Sequence, residues 1–238
     1  MESKWARIRR DPIGTAKRAW EKLVVGRRRY GKKGDYDAAR YWHDRFEKSG
    51  RSLLGAGDEG MSQTDNERDY EIARQTFLKL VESNDIDFAF GRTLEVGCGT
   101  GFYTRQIVDL GARELVAYDI TDVLFPELQA ELPLVEFRKA DITETQVDGT
   151  FDRAVMIDVL EHVVNDDRFV RALQNVASAL KPEAPFVVGP LAAQRVHGRD
   201  MYYLKFRVID DALAALPEWK VAEQTTFRDG ELLVLRRG

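Results

Sequence analysis

The stretch Leu94-Glu95-Val96-Gly97-Cys98-Gly99-Thr100-Gly101-Phe102 decides how the rest of this chain reads. Arg92 to Val96 has the length and alternation of a short strand, it stops at glycines, and a helical period runs from about Tyr103 to Leu110. Glycines between a strand and a helix let the backbone turn tightly and let a ligand approach closer than a Cβ would allow. The helix start then presents its free N–H groups. Such a loop alone serves dinucleotide, nucleotide and nucleoside sites alike. Here the spacing is G-x-G-x-G, and Phe102 stands where the dinucleotide fingerprint needs a third glycine. The phosphate-cradling pattern G-x-x-x-x-G-K-S/T does not occur.

Outward from the loop, strand and helix periods alternate. Strands are expected at 115–119, 134–137, 153–157 and 186–188, and helices at 70–81, 167–180 and 209–216. The chain closes with Lys220 to Thr226 and Leu232 to Leu235 around the turn Arg228-Asp229-Gly230, the pattern of a hairpin. This is the sequence form of an α/β fold: a Rossmann-like, doubly wound, mostly parallel sheet with a C-terminal antiparallel hairpin, plus a helical N-terminal extension. The domain boundaries expected are 1–65 for the extension and 66–238 for the core. Within the extension, 36–48 reads as a helix, and Gly50 to Gly60, with four glycines, as a mobile loop.

The second strand ends at Asp119, eighteen residues after Gly101, where a carboxylate can accept hydrogen bonds from both hydroxyls of a ribose. Asp141 follows the third strand, placed to take an exocyclic amine, with Ile142 against a flat base. Together these residues describe an adenosine pocket without a pyrophosphate clamp.

At this point the chain resembles the class I S-adenosylmethionine-dependent methyltransferases of the small-molecule type. The resemblance spans roughly 66–238 and rests on Glu95-Val-Gly-Cys-Gly-Thr-Gly101, Asp119, Ala140-Asp-Ile142, the run from Phe151 to His162, and Leu180-Lys-Pro182. By position it implies that the methionine part of S-adenosylmethionine lies against Gly97, Gly99 and Gly101, the ribose at Asp119, the adenine at Asp141 and Ile142, and the sulfonium near Ile157 and Asp158. Glu95, Cys98 and Ile120 complete the cofactor-binding set so implied, and S-adenosylhomocysteine is the product.

Methyl transfer is an in-line displacement that chiefly needs alignment and exclusion of water. A hydroxyl acceptor, alone or on a lipid or sugar, also needs a proton acceptor. The candidates are His162, His197 and Asp158, with Glu161 beside them. His162 reads equally as a helix N-terminal residue shaping the pocket wall, and His197 as a loop histidine. Cys98 reads as a small buried filler rather than a nucleophile. Tyr41, Trp42 and His43 are candidates for a lid over the pocket, although Trp42 and Phe46, four apart, also suit plain packing of a helix on the core. No metal site is expected, since one cysteine and three separated histidines make no ligand set. A non-catalytic cofactor-binding subunit and a nicotinamide oxidoreductase are the competing functions; binding of S-adenosylmethionine or NAD, and turnover, separate them.

The net charge of −4 hides an asymmetry, since residues 1–33 hold 12 Lys and Arg against 3 Asp and Glu, so a segment of +9 precedes a body of −13. Trp5, Ile8, Ala16, Trp20, Leu23 and Val24 interleave with those cations, a pattern suited to the surface of an anionic membrane or to contact with a sister subunit in a homo-oligomer. Nucleic acid is a weaker fit. With a single cysteine, no apolar run of the ~18 residues a span requires, and no secretory h-region, the expectation is a cytoplasmic protein, with membrane association through the basic segment and an organellar targeting role of that segment as alternatives to its structural use.

Overall fold

The computed structural model describes residue 20 and residues 24–32, 34–57, 61–195 and 200–238. The described chain begins with α1 (Gly26–Tyr30), the two-stranded ribbon β1 (Gly31–Lys32) and β2 (Asp35–Tyr36), α2 (Ala38–Ser49) and α3 (Leu53–Ala56). The core follows as α4 (Gln63–Ser83), β3 (Arg92–Val96), α5 (Phe102–Asp109), β4 (Glu114–Asp119), α6 (Phe125–Glu131), β5 (Val135–Lys139) and β6 (Arg153–Ile157). A 3-10 turn (Leu160–His162), α7 (Asp166–Ser178), β7 (Phe186–Leu191), α8 (Ile209–Ala215), β8 (Trp219–Phe227) and β9 (Gly230–Arg237) complete it.

Seven strands form one sheet in the order β5-β4-β3-β6-β7-β9-β8. The first five pair in parallel, and β9 pairs antiparallel with both β7 and β8. Parallel strands covered on both faces are mostly apolar, and all five residues of β6 are buried, its one charged residue, Arg153 at the strand's start, donating to Phe90 O at 2.6 Å. Its alternation splits the core. Ala154 and Met156 face α7 and α8 together with Leu173, Val176 and Ala212. Val155 and Ile157 face α4 and α5 together with Phe77, Leu80 and Ile107. Burying each such large side chain contributes roughly 1.5–3 kcal/mol. The order reverses between β3 and β6, so a crevice opens beyond their carboxyl ends, the place where this architecture holds ligands.

Helix starts follow from side chains that satisfy the orphan N–H groups of a first turn. Ser62 caps α4 through the N–H of Asp65, and Asn165 caps α7 through the N–H of Arg168. The capped start of α4 precedes the boundary expected at residue 66. Three features differ from expectation. The ribbon β1–β2 and helix α6 are additional; α6 is short, with only Leu128 buried. The glycine-rich stretch after Gly50 holds the helical turn α3, and Arg45 donates to the carbonyls of Gly55 and Gly57, which ties a segment expected to be mobile to α2. The amphipathic reading of the basic segment falls mostly outside the described residues. Within them, α1 carries Arg27, Arg28 and Arg29 in its last turn, and Trp20 and Val25 are exposed. Among the described residues no helix is long and apolar enough to cross a membrane.

Candidate active site

A cavity lies at the carboxyl ends of β3, β4, β5 and β6. Its floor is the glycine loop, and three glycines of that loop adopt positive φ, +79° at Gly97, +49° at Gly99 and +80° at Gly101. A Cβ on Gly97 would lie 2.2 Å from Val159 Cγ2, and one on Gly101 2.4 Å from Leu128 Cδ2. Gly99 differs: its nearest neighbour would be the ring of Phe46 at 3.7 Å, so here glycine keeps open a cradle that a side chain would fill. The loop is pinned to the next strand by the amides of Gly97 and Cys98, which donate to Tyr118 O at 2.8 and 3.1 Å.

Asp119 is 8% exposed and held from both sides, Oδ2 accepting from Gly99 N at 2.8 Å and Oδ1 from Thr121 N at 3.1 Å. Burial pushes its carboxyl up to about 6 against those bonds. Both oxygens retain lone pairs for two hydroxyls. Asp141 also lines the cavity, but less freely than expected. Oδ1 accepts from Thr143 N and Oγ1, and Oδ2 pairs with Arg168 at 3.0 Å. Arg168, on α7, also reaches Asp35 on β2 at 2.9 Å, and Glu144.

Gly97, Cys98, Gly99, Asp119, Ile120, Asp141, Ile142, Ile157 and Asp158 all line the one cavity. Glu95 does not: it is 2% exposed beneath the loop, where burial pushes its carboxyl up to about 8. Gly101 shapes the loop from behind, its would-be Cβ facing Leu128. Burial raises the Cys98 thiol well above its usual range, which keeps it an inert wall atom.

His162 lines the cavity but ends the 3-10 turn instead of opening a helix, since α7 begins only at Asp166. Its Nδ1 lies 3.1 Å from Tyr203 O, and because a carbonyl only accepts, Nδ1 carries the proton and Nε2 is the free acceptor. Burial pushes its pKa down to about 4, so the ring is neutral. Asp158 pairs with Arg228 at 2.8 Å, and burial, joined by the nearby Asp158 carboxylate, raises Glu161 to about 8. His197 lies outside the described residues.

The opposite wall comes from the N-terminal segment. Tyr36, Trp42 and Phe46 face the cavity, and Trp42 stands edge-on to His162 at 4.9 Å. Phe46, 4% exposed, packs with Leu124 and Leu128, so this helix both closes the cavity and docks on the core. Tyr41 stacks on Tyr203 at 5.3 Å, whereas His43, next to Trp42 on the helix, turns outward to Glu47 at 3.3 Å. Sequence reasoning missed Tyr36, Arg168 and Arg228. Only their polar or aromatic character beside strand ends hinted at them.

Residues 93–183 match a family model described as a methyltransferase domain. The ubiquinone biosynthesis O-methyltransferase of Xanthomonas euvesicatoria pv. vesicatoria is 31% identical over 110 residues, 42% of this chain and 43% of that protein. The malonyl-acyl-carrier-protein O-methyltransferase of Haemophilus ducreyi is 29% identical over 124 residues, 48% of this chain and 46% of that protein. The chain thus spans under half the length of these curated relatives. Among solved structures, magnesium protoporphyrin IX methyltransferase from Synechocystis PCC 6803 with bound S-adenosylmethionine superposes with a TM-score of 0.64 at 16% identity, covering 86% of this chain and all of that one.

Proposed function

We propose, from the match of residues 93–183 to a methyltransferase-domain family model, that this chain transfers a methyl group from S-adenosylmethionine to a hydroxyl of a small-molecule acceptor. The observation that carries the reading is the single cavity in which the open cradle at Gly99, the doubly held Asp119, the apolar Ile142 and the carboxylate of Asp158 follow one another. These residues fit the donor. Gly99 would leave room for its methionine part, Asp119 would accept from its ribose, and Ile142 would lie against its base. When bound, S-adenosylmethionine supplies an electrophilic methyl on a sulfonium. The chain's own work is to align the acceptor, exclude water and take up its proton.

Two features support a neutral acceptor. Arg168 is the one cation among the described residues lining the cavity, and it is engaged by Asp35, Asp141 and Glu144. Asp35, Asp119, Asp141 and Asp158 meanwhile give the walls negative charge that disfavours a carboxylate or phosphate at the reacting end. For the proton, His162 is a weak base at about 4. Asp158, which also lines the cavity, is the other candidate acceptor. We further infer peripheral contact with anionic membranes through residues 1–33, tested by vesicle co-sedimentation of the full chain against one lacking them; equal binding eliminates it. The main test is incubation with methyl-labelled S-adenosylmethionine and a metabolite extract. Label in a small molecule supports the function and names the acceptor. Cofactor binding without transfer would leave a non-catalytic subunit.

A further inference from the structure

A second cleft adjoins the cavity and has the opposite polarity. It lies between the N-terminal segment and the loop that follows β7, lined by Arg27 of α1, by Lys32 and Asp35 of the β1–β2 ribbon, and by Asp200, Tyr202 and Lys205. Asp35 lines both spaces. Little separates them, since Tyr36 lines the cavity, Tyr202 lines the cleft, and the two rings meet edge-on at 6.2 Å. Residues 201–205 serve both, because Tyr203 O accepts from His162 and Lys205 N donates to Glu161 O at 2.7 Å. The cleft is thus built on the same frame as the cavity.

Its charges divide into spent and free. Asp35 is neutralised by Arg168 at 2.9 Å. Lys205 pairs with Asp166 at 2.5 Å, but Arg207 reaches the same oxygen, so two cations share one negative charge. Lys32 stands 3.9 Å from Asp37, too far for a hydrogen bond, and Arg27 has no ion pair among the described residues. Asp200, whose Oδ1 accepts from Phe206 N at 3.1 Å, is the remaining carboxylate of the described lining. Three cations from three segments therefore face one uncompensated carboxylate, and the cleft is positive where the cavity is negative. Separate cations around one space suit a group with several charged oxygens better than a single carboxylate.

We propose, resting on the transfer reading above, that this cleft is an anion subsite holding a phosphate or diphosphate at the far end of the acceptor while the neutral hydroxyl end lies in the cavity. The two polarities then set the acceptor's direction, since a phosphate is repelled from the carboxylate-lined cavity and held in the cleft. Val164, Met201 and Tyr202 give the linking part an apolar edge. No bond is made or broken in the cleft; binding energy from the non-reacting end serves alignment at the reacting one.

Calorimetry of the full chain with pyrophosphate reads the cleft without an acceptor. Arg27→Met and Lys32→Met, both exposed positions, should each weaken pyrophosphate about tenfold, the scale of one charge-assisted hydrogen bond, with S-adenosylhomocysteine affinity within about twofold. Absence of saturable binding up to about 10 mM at about 0.1 M salt, or equal affinity in wild type and both variants, overturns the proposal. Binding of phosphatidylglycerol vesicles that both variants lose, with no binding of pyrophosphate, overturns it too, because the cations would then meet a lipid surface. In the labelled-methyl assay the product should be retained on an anion exchanger at neutral pH and should vanish when the extract is first treated with phosphatase; an unretained product overturns the subsite. Label extracted into organic solvent marks a lipid-linked phosphate, and label left in water a soluble one. No labelled product, with pyrophosphate binding weakened as expected in the variants, would instead sink the transfer reading and leave the anion site standing.

Discussion

Replacing Glu95 by Gln should make the ligand-free protein more stable at neutral pH, and the size of the gain follows from one buried carboxyl. Glu95 is 2% exposed at the end of β3, and its pKa is raised from 4.5 to about 8, chiefly by burial. Its folded value is the higher one, so folding takes up a proton between the two values. The stability tied to that proton is fully present below 4.5 and is lost as pH rises towards 8. At ~1.36 kcal/mol per pH unit, the loss reaches about 3 kcal/mol by about pH 7 and only about 0.8 by about pH 5. Gln matches the protonated acid in shape and never ionises. Urea unfolding followed by tryptophan fluorescence should therefore show Glu95→Gln ahead of the wild type by about 3 kcal/mol at about pH 7, with the gap nearly closed at about pH 5. Parallel stability curves across that range would refute the reasoning, because they would mean that Glu95 stays charged in the fold.

Gly97→Ala should cost about 2–5 kcal/mol, combining left-handed strain with overlap on Val159, read from the urea midpoint. Arg168→Met should weaken S-adenosylhomocysteine about tenfold in calorimetry and speed amide exchange in residues 35–49, since it frees Asp141 and Asp35 together. Because His162 is pushed down to about 4, it stays uncharged through neutral pH, and His162→Gln should remove no inflection near pH 6.5 from the turnover profile. Trp42→Ala, which deletes the ring against His162 and Phe46, should reduce donor affinity by about 1–2 kcal/mol; unchanged affinity and turnover would end the lid assignment.

The glycine loop was legible because the positive φ that Gly97, Gly99 and Gly101 adopt strongly favours glycine, so residue type and conformation coincide. Strand β6 was legible because burial on both faces leaves Ala154 to Ile157 without a polar position, the buried Arg153 standing only at its start. Helix α6 was not: it is short, carries Pro126 and buries only Leu128, too little to make a periodic stripe. The ion pairs of the site escaped for another reason. Arg168 reads as a solvated helix residue until Asp35, 133 positions away, is folded against it, and Arg228 reads as part of a turn until that turn meets Asp158. Local pattern reports the backbone's demands, whereas these partners are chosen by topology. His162 sits between the two cases, its neighbourhood visible but its protonation set by a carbonyl from Tyr203.

The order β7-β9-β8 also dictates a sequence of assembly. Strand β8 touches the sheet only through β9, so it has nothing to pair with until the later strand exists. The most local route is for the two to pair as a hairpin and add together to the edge of β7. The turn of that unit carries Arg228. During synthesis, the nucleoside side of the crevice is therefore complete before its opposite corner, and the last ribbon to dock is the one that delivers the counter-charge to Asp158.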